Sequence, residues 1–204
     1  NCNVTLDKTV KNDVLFVEVK MNQSKNVVPE QFSVRWKVSG SDCCGVWNSF
    51  LRNHTIRPDW SNVDAISRLA SGMPLEQITA FDGNNKISVS LSDVDIPAKI
   101  SMGYCEETAE IVCEAAFFTL PTNATEKYSA TIRIDMRNIP FYDSIYETVL
   151  WWENDCGYKS AYVPESAKMP MDSLWYSFHQ NLNKDEILCE CRLSKELGME
   201  NVII

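Results

Sequence analysis

Positive charge is scarce in this sequence, and what the chain lacks disfavours two large classes of partner. The 204 residues contain 19 Lys and Arg against 28 Asp and Glu, which gives a formal net charge of −9. No basic stripe is present that could neutralise phosphates, so nucleic-acid binding is not expected. No apolar run approaches the roughly 20 residues of a membrane-spanning helix, so no membrane partner is expected either.

Metal-ligand spacing is also missing, although the chain has eight cysteines. Cys189 and Cys191 lie two apart on a predicted helix, about 200° apart around its axis, and cannot easily share one metal. Cys43 and Cys44 are adjacent and have no second pair at ligand spacing. We therefore predict no metal site and no cofactor.

The cysteine usage favours reduced thiols and a cytoplasmic location. A chain of this size does not need disulfides as staples, and the spacings do not resemble a small secreted scaffold. No signal peptide is visible. Secretion is the alternative, and it would make the Asn-x-Ser/Thr sequons relevant. These begin at Asn3, Asn22, Asn53 and Asn123.

Short alternating segments predict a mainly β fold, an antiparallel β-sandwich over residues 1–168. Apolar and polar side chains alternate with period two in several of them, so one face of each strand is buried. The predicted strands are residues 14–19, 32–38, 87–91, 99–104, 111–118 and 128–136. Many short strands joined by turns are typical of a sandwich.

Three segments have no clear period. Residues 43–71 are predicted to form a long ordered loop, and such loops are often functional. Residues 139–152 mix helix and strand signals, and we predict a short helix or turn near Tyr142 followed by a strand that ends at Trp152. Two prolines and little apolar pattern make residues 162–170 the candidate linker.

Residues 169–204 predict one strand-helix-strand unit. Residues 173–180 are a predicted strand, and a helix over residues 183–197 begins with Asn183 as cap and ends at Gly198. Residues 201–204 begin a second strand. Because parallel strands joined by a helix need a parallel sheet around them, we expect this unit to open a larger domain that is truncated at Ile204.

The same residues resemble the melibiase-type α-galactosidases, a group of glycoside hydrolases. The resemblance rests on residues 174–180 (LWYSFHQ), 185–187 (DEI), 191–198 (CRLSKELG) and 202–204 (VII). Weaker matches are Trp60 and residues 67–74 (SRLASGMP), 90–93 (SLSD), 133–137 (RIDMR) and 149–153 (VLWWE). The resemblance implies an N-terminal β-supersandwich followed by the opening strand-helix-strand of a (β/α)8 catalytic barrel.

The resemblance also implies a retaining mechanism that uses two carboxylates. In the family both aspartates come from later barrel strands, so no catalytic residue is expected up to Ile204. Trp175 matches a tryptophan that lines the sugar subsite, where an aromatic face stacks on a hexose. His179 and Gln180, nearer the end of the predicted strand, would hydrogen-bond a sugar hydroxyl.

Trp47 and Trp60 lie in the predicted long loop. In several family members a sandwich loop reaches over an active site, sometimes that of a neighbouring subunit, so the resemblance makes both side chains candidates for substrate binding. Ordinary loop packing is the alternative for these two residues. Core packing is the alternative for Trp175, and a structural hydrogen bond is the alternative for His179.

The expected substrate partner is therefore a carbohydrate, a terminal α-galactoside. Pairing with another copy of the chain, which would give a homo-oligomer, is also expected at the exposed edge of the second strand. Two alternatives stay open. One is a related activity, α-N-acetylgalactosaminidase or transglycosylation to raffinose-type sugars. The other is a stand-alone carbohydrate-binding or structural β-sandwich without catalysis.

Overall fold

A computed structural model of the chain describes residues 2–50, 54–61, 64–67 and 72–203. The fold is mainly β, and its sheets in the first part of the chain are antiparallel. The chain divides into two compact units, Asn1–Tyr158 and Lys159–Ile204.

The first unit contains a six-stranded antiparallel sheet. Its strands are β1 (Cys2–Lys11), β2 (Val14–Val27), β4 (Cys43–Asn48), β6 (Leu75–Ala80), β7 (Asn85–Leu91) and β10 (Thr125–Asp135). They pair in the order β1-β2-β10-β7-β6-β4. β1 and β2 are joined by a two-residue turn in which Asn12 and Asp13 have φ angles of 52° and 61°. Two positive φ angles define the turn type whose twist suits a hairpin.

A second antiparallel sheet of four strands completes the first unit. Its strands are β3 (Phe32–Ser39), β5 (Ala65–Ser67), β8 (Ala98–Cys105) and β9 (Glu110–Phe117), paired in the order β3-β9-β8-β5. The strands predicted at residues 99–104 and 111–118 are confirmed as β8 and β9, which pair from Ala98 opposite Phe117 to Cys105 opposite Glu110.

One hydrophobic core is built from side chains of both sheets. From the larger sheet it takes Ile87, Val89 and Leu91 of β7, all fully buried. From the smaller sheet it takes Ile100 of β8 and Ile111 of β9. Burying each such side chain stabilises the fold by about 1.5–3 kcal/mol. The alternating patterns predicted at residues 32–38, 87–91 and 128–136 thus form strands, as expected.

The prediction of one long loop over residues 43–71 is wrong. Within it lie β4, a 3-10 turn at Asp59–Ser61 and β5, while residues 51–53, 62–63 and 68–71 lie outside the described residues. The pairing of β4 with β6 is irregular between Cys43 and Gly45, which interrupts the period-two pattern. The inward position after Val46 is moreover the polar Asn48, so the strand carries little apolar signal.

The strand predicted to end at Trp152 is also wrong, because that segment is a helix. α1 spans Phe141–Asn154, directly after Pro140. Its buried residues are Ser144, Thr148 and Trp152, spaced four apart on one face. Two of these three are polar, so the stripe that faces the sheet does not register as an apolar period. The aromatic and β-branched residues between them favour a strand only weakly, and tertiary packing overrides that preference.

The second unit contains a parallel pair of strands, β11 (Met171–Ser173) and β12 (Asn201–Ile203). The helix between them, α3, spans Lys184–Glu196 and confirms the prediction. Asn183 caps it by accepting a hydrogen bond from Asp185 N at 2.9 Å. Gly198, with φ of 82°, follows its end. A 3-10 turn at Glu165–Lys168 lies within the predicted linker.

The strand predicted over residues 173–180 is wrong beyond Ser173. The chain turns instead into α2, a single helical turn over Trp175–Phe178. Leu174 N still donates to Ile203 O at 3.0 Å, but Phe178 N donates back to Leu174 O at 2.9 Å. The backbone therefore satisfies its hydrogen bonds locally once the pairing with β12 ends. Trp175, His179 and Gln180 consequently lie on a helical turn and the bend after it.

Candidate functional site

Two of the predicted sugar-binding side chains come together on α2. The ring centroids of Trp175 and His179 lie 6.4 Å apart, with the rings at 75° to each other. Both side chains are exposed, and Trp175 retains 55% of its accessible surface. His179 N donates to Trp175 O at 2.9 Å, which fixes the spacing of the two residues. An exposed indole face beside an imidazole can stack on a sugar ring and hydrogen-bond one of its hydroxyls.

His179 has a strained backbone. Its φ of 50° and ψ of −118° lie in a region that residues with a side chain rarely adopt. Such conformations cost about 1–3 kcal/mol each and are concentrated at functional sites. Gln180 follows in the same bend and is exposed. The local conformation thus presents three of the five predicted residues in one short exposed segment, residues 175–180.

The other two predicted residues lie in the first unit, Trp47 on a strand and Trp60 in a 3-10 turn. Trp47 is a half-buried residue of β4 opposite Gln77 of β6. Trp60 lies in the 3-10 turn at Asp59–Ser61 and is 83% exposed. This turn lies against β8, where a Cβ on Gly103 would lie 2.4 Å from Asp59 Cα. Glycine at position 103 therefore permits the close approach that holds Trp60 outward.

A larger concave feature, which the sequence did not predict, lies on the outer face of the six-stranded sheet. Its floor includes Glu18 of β2 and Thr131 of β10, and its wall includes Glu147 and Trp151 of α1. We call it the sheet–helix groove. It has a volume of about 1110 Å³ and lies entirely within the first unit. Its β10 residues alternate with the core residues Ala130, Ile132 and Ile134, so they point away from the core.

The end of the groove beside α1 is built on a buried network of charges around Asp135. This fully buried carboxylate accepts hydrogen bonds from Arg133 at 3.1 Å and from Arg137 at 2.9 and 2.7 Å. Arg133 also donates to Thr148 Oγ1 of α1 at 2.9 Å, and Arg137 donates to Glu147 of the same helix. The network therefore connects β10 to α1 and fixes both guanidinium groups at the groove.

The ionisation of Asp135 follows from these contacts. Burial by itself would raise the pKa of this carboxyl, but the hydrogen bonds from Arg137 and the charges of both arginines outweigh it and hold the pKa below its usual range. Asp135 is therefore a carboxylate at neutral pH, with its oxygens directed at cations. This role is structural and is unlike that of a general acid, which needs a raised pKa.

Two aromatic side chains meet where the wall of the groove joins its floor. The ring centroids of Trp151 on α1 and Phe16 on β2 lie 5.9 Å apart, tilted by 51°. The neighbouring Trp152 is buried and donates from Nε1 to Leu91 O at 2.7 Å, which anchors α1 on the sheet. Trp151 remains half-buried at the groove. The i, i+4 spacing of Ser144, Thr148 and Trp152, and the Arg-x-Asp-x-Arg pattern at residues 133–137, are the sequence signals that could have revealed this site.

Metal or thiol chemistry finds little support in the described part of the chain. No group of three or more His, Cys, Asp or Glu side chains that could hold a metal ion occurs among the described residues. The eight cysteines, all of them described, are free thiols. Burial raises the pKa of Cys113, in the core, to about 12, so this thiol is not a nucleophile at neutral pH. Aromatic and hydrogen-bonding side chains are present at both candidate sites, which suits them to binding polar ligands.

The chain matches no protein-family model, and no curated protein matches it. Among the described residues, the helices are too short or too polar to cross a membrane.

Proposed function

We propose that this chain is part of a retaining α-galactosidase-like glycoside hydrolase, to which it contributes a β-sandwich and the opening strand-helix-strand of a (β/α)8 barrel. The motif LWYSFHQ at residues 174–180, followed by DEI and CRLSKELG, carries the resemblance on which this proposal rests. The parallel pairing of β11 and β12 across α3 supports it, because adjacent parallel strands joined by a helix are the repeating unit of such barrels.

The single observation that carries the substrate assignment is the exposed pair of Trp175 and His179. The bend after β11 presents both rings outward within one turn. Active sites of (β/α)8 barrels are built at the C-terminal ends of the strands, and these residues directly follow the C-terminal end of β11. In the proposed enzyme the Trp175 indole stacks on the galactosyl ring, and His179 and Gln180 hydrogen-bond its hydroxyls.

The proposed roles are those of substrate binding. The resemblance places the two catalytic aspartates on later barrel strands, and retention requires them to lie about 5–5.5 Å apart. We therefore expect residues 1–204 alone to give no hydrolysis of p-nitrophenyl α-galactoside. Trp47 and Trp60 remain candidates for contacts of a sandwich loop with substrate.

The test is a kinetic comparison of Trp175 variants in the intact product of the gene that encodes this chain. We expect Trp175→Ala to lower kcat/KM for p-nitrophenyl α-galactoside by roughly 10- to 100-fold, equivalent to about 1.4–2.8 kcal/mol. Trp175→Phe keeps an aromatic face and should lose less. Tyr176 is exposed on the same helical turn, so Tyr176→Ala is the matched control. Hydrolysis that is equally fast in Trp175→Ala would contradict the assigned role.

The same experiment distinguishes the proposed glycoside hydrolase from the alternative, a non-catalytic carbohydrate-binding sandwich. In that case the intact protein would bind sugars without hydrolysing α-galactosides. A same-clan activity would instead appear as hydrolysis of α-N-acetylgalactosaminides or as galactosyl transfer to raffinose-type acceptors.

A further inference from the structure

We propose that the sheet–helix groove is a binding site for a neutral oligosaccharide. The site lies wholly within Asn1–Tyr158, and the proposal does not depend on the α-galactosidase assignment. The groove volume of about 1110 Å³ exceeds that of typical small-ligand pockets, roughly 300–1,000 Å³. A chain of sugar units fills such a groove better than a single small molecule.

The groove combines an aromatic wall with a floor that is lined by hydroxyl groups. Trp151 and Phe16 provide an apolar surface against which the C–H face of a pyranose can lie. Beside Phe16 on the same sheet face, Ser129 and Thr131 of β10 and Thr9 of β1 bring side-chain hydroxyls to the floor. A hydroxyl can donate and accept at once, as each sugar hydroxyl also does. The groove therefore offers both kinds of surface that a pyranose presents.

The charge of the groove disfavours an anionic ligand. Five acidic and three basic residues line it. Most of these charges are paired within the protein, because Asp135 and Glu147 hold the arginines, Lys11 lies 3.9 Å from Asp155, and Lys20 lies 2.9 Å from both Asp7 and Glu18. A phosphate or carboxylate would have to compete with these carboxylates for the same cations. A neutral ligand can accept hydrogen bonds without breaking any ion pair.

The polar groups of the groove are held in place before any ligand binds. Ser129 Oγ donates to Glu18 Oε1 at 3.2 Å, and Ser92 Oγ accepts from Thr131 N at 2.8 Å. Arg133 is almost fully buried and is fixed by Asp135 and Thr148. Side chains that are already ordered lose little conformational entropy on binding. Such preorganisation suits weak ligands such as sugars, whose hydroxyls exchange one set of hydrogen bonds for another.

The test is isothermal titration of the 204-residue chain with three neutral tetrasaccharides, stachyose, maltotetraose and cellotetraose, and with tri-galacturonic acid as the anionic probe. We expect saturable binding of at least one neutral tetrasaccharide and at least tenfold weaker binding of the anionic probe. Binding of none of the three neutral probes, or tighter binding of tri-galacturonic acid, would overturn the proposal.

Two groove variants locate the bound sugar. Ser129→Arg places a bulky side chain at an exposed floor position that the core does not use, so it tests the site without altering the core. Trp151→Ala removes the aromatic wall, and circular dichroism checks that it still folds. Each variant should weaken binding at least tenfold. Unchanged affinity in Ser129→Arg would show that the sugar binds elsewhere.

A third variant separates this proposal from the function proposed above. Trp175→Ala should leave the binding of maltotetraose and cellotetraose, which carry no α-galactosyl group, unchanged while it lowers hydrolysis in the intact protein. Loss of their binding in Trp175→Ala would place the sugar at residues 175–180 and overturn the groove assignment. A failed hydrolysis assay with intact groove binding would overturn only the enzymatic proposal.

Discussion

Asp135 is the carboxylate of the first unit around which a buried network of charges is built. It is fully buried and receives hydrogen bonds from Arg133 and Arg137. The side chain of Arg133 is only 3% exposed, so this cation depends on the carboxylate for compensation. Because water cannot replace a lost partner at such depth, this ion pair is far more consequential for folding than the exposed pairs of β1 and β2.

Replacing Asp135 should therefore destabilise the first unit strongly. We expect Asp135→Ala to lower the free energy of unfolding by about 3–5 kcal/mol, because it leaves Arg133 as an uncompensated buried charge. Urea denaturation followed by tryptophan fluorescence measures the loss. The control is Asp7→Ala, which removes an exposed partner of Lys20 and should cost about 0–1 kcal/mol. Equal losses in the two variants would contradict the importance assigned to burial.

The pH dependence of stability should carry the signature of the same carboxyl. The pKa of Asp135 in the folded protein lies below the ordinary 3.8, so its stabilising contribution is present above that value. It is lost as the pH falls through the lower, folded-state pKa. The difference in unfolding free energy between the unaltered chain and Asp135→Asn should accordingly shrink as the pH falls from about 4 through the folded-state pKa of Asp135. A difference that stays constant over this range would contradict the assignment.

His179 combines a functional side chain with an unfavourable backbone. A glycine at this position would relieve the strain of the positive φ, and an alanine would not. We expect His179→Gly to be more stable than His179→Ala by about 1 kcal/mol, since relief of 1–3 kcal/mol of strain is partly offset by the flexibility of glycine in the unfolded chain. Thermal unfolding of the two variants measures the difference. If the alanine variant were equally stable, the backbone would not be strained.

At the scale of single elements, the link between α3 and β11 depends on one small residue. Ser194 is buried on α3, and its hydroxyl donates to Asp172 Oδ2 of β11 at 2.5 Å. The small side chain at this position lets α3 lie close to β11. The hydrogen bond adds a directional contact to that close approach. Hydrogen bonds to a carboxylate stabilise a fold by about 1.5–3 kcal/mol.

Removal of this hydroxyl should loosen the second unit. We expect Ser194→Ala to accelerate amide hydrogen exchange in α3 and β12 by roughly 10- to 100-fold, since the local opening free energy falls with the lost hydrogen bond. Mass spectrometry of exchanged peptides provides the measurement. Cys189→Ala, at an exposed position of the same helix, is the matched control. Exchange that is equally fast in both variants would mean that Ser194 does not anchor the helix.

Elements whose apolar residues follow a strict period could be predicted from the sequence, and elements fixed by polar contacts could not. β3, β7 and β10 alternate apolar and polar residues, and α3 has a cap and a terminating glycine, so local sequence defines them. α1 buries Ser144 and Thr148 against the sheet through hydrogen bonds to Ser88 and Arg133. Such contacts depend on partners distant in the sequence, which no local pattern reveals.

The candidate sites show the same division. Trp175 and His179 were proposed from a motif, and the bend that brings their rings together was unexpected, because the predicted strand would have placed them further apart. The exposed strand β1 was not predicted, although the Asn12-Asp13 turn between alternating residues is a hairpin signal. Without β1 and α1 as its two sides, the sheet–helix groove could not be predicted.

At the scale of the whole molecule, the chain contains two units with different architectures. The first has two antiparallel sheets around one core, and the second has a parallel strand pair joined by a helix. We propose a division of roles in which residues 175–180 bind an α-galactosyl group and the groove of the first unit binds a neutral oligosaccharide. We propose that the intact protein hydrolyses α-galactosides with retention.

Proton NMR of the first sugar released from p-nitrophenyl α-galactoside shows whether the anomeric configuration is retained. The sample is the intact product of the gene that encodes this chain, with p-nitrophenyl β-galactoside as the control substrate. A retaining mechanism predicts that α-galactose appears first and that the β anomer follows only by mutarotation. Release of β-galactose first, or no hydrolysis of the α-galactoside at all, would contradict the proposed function.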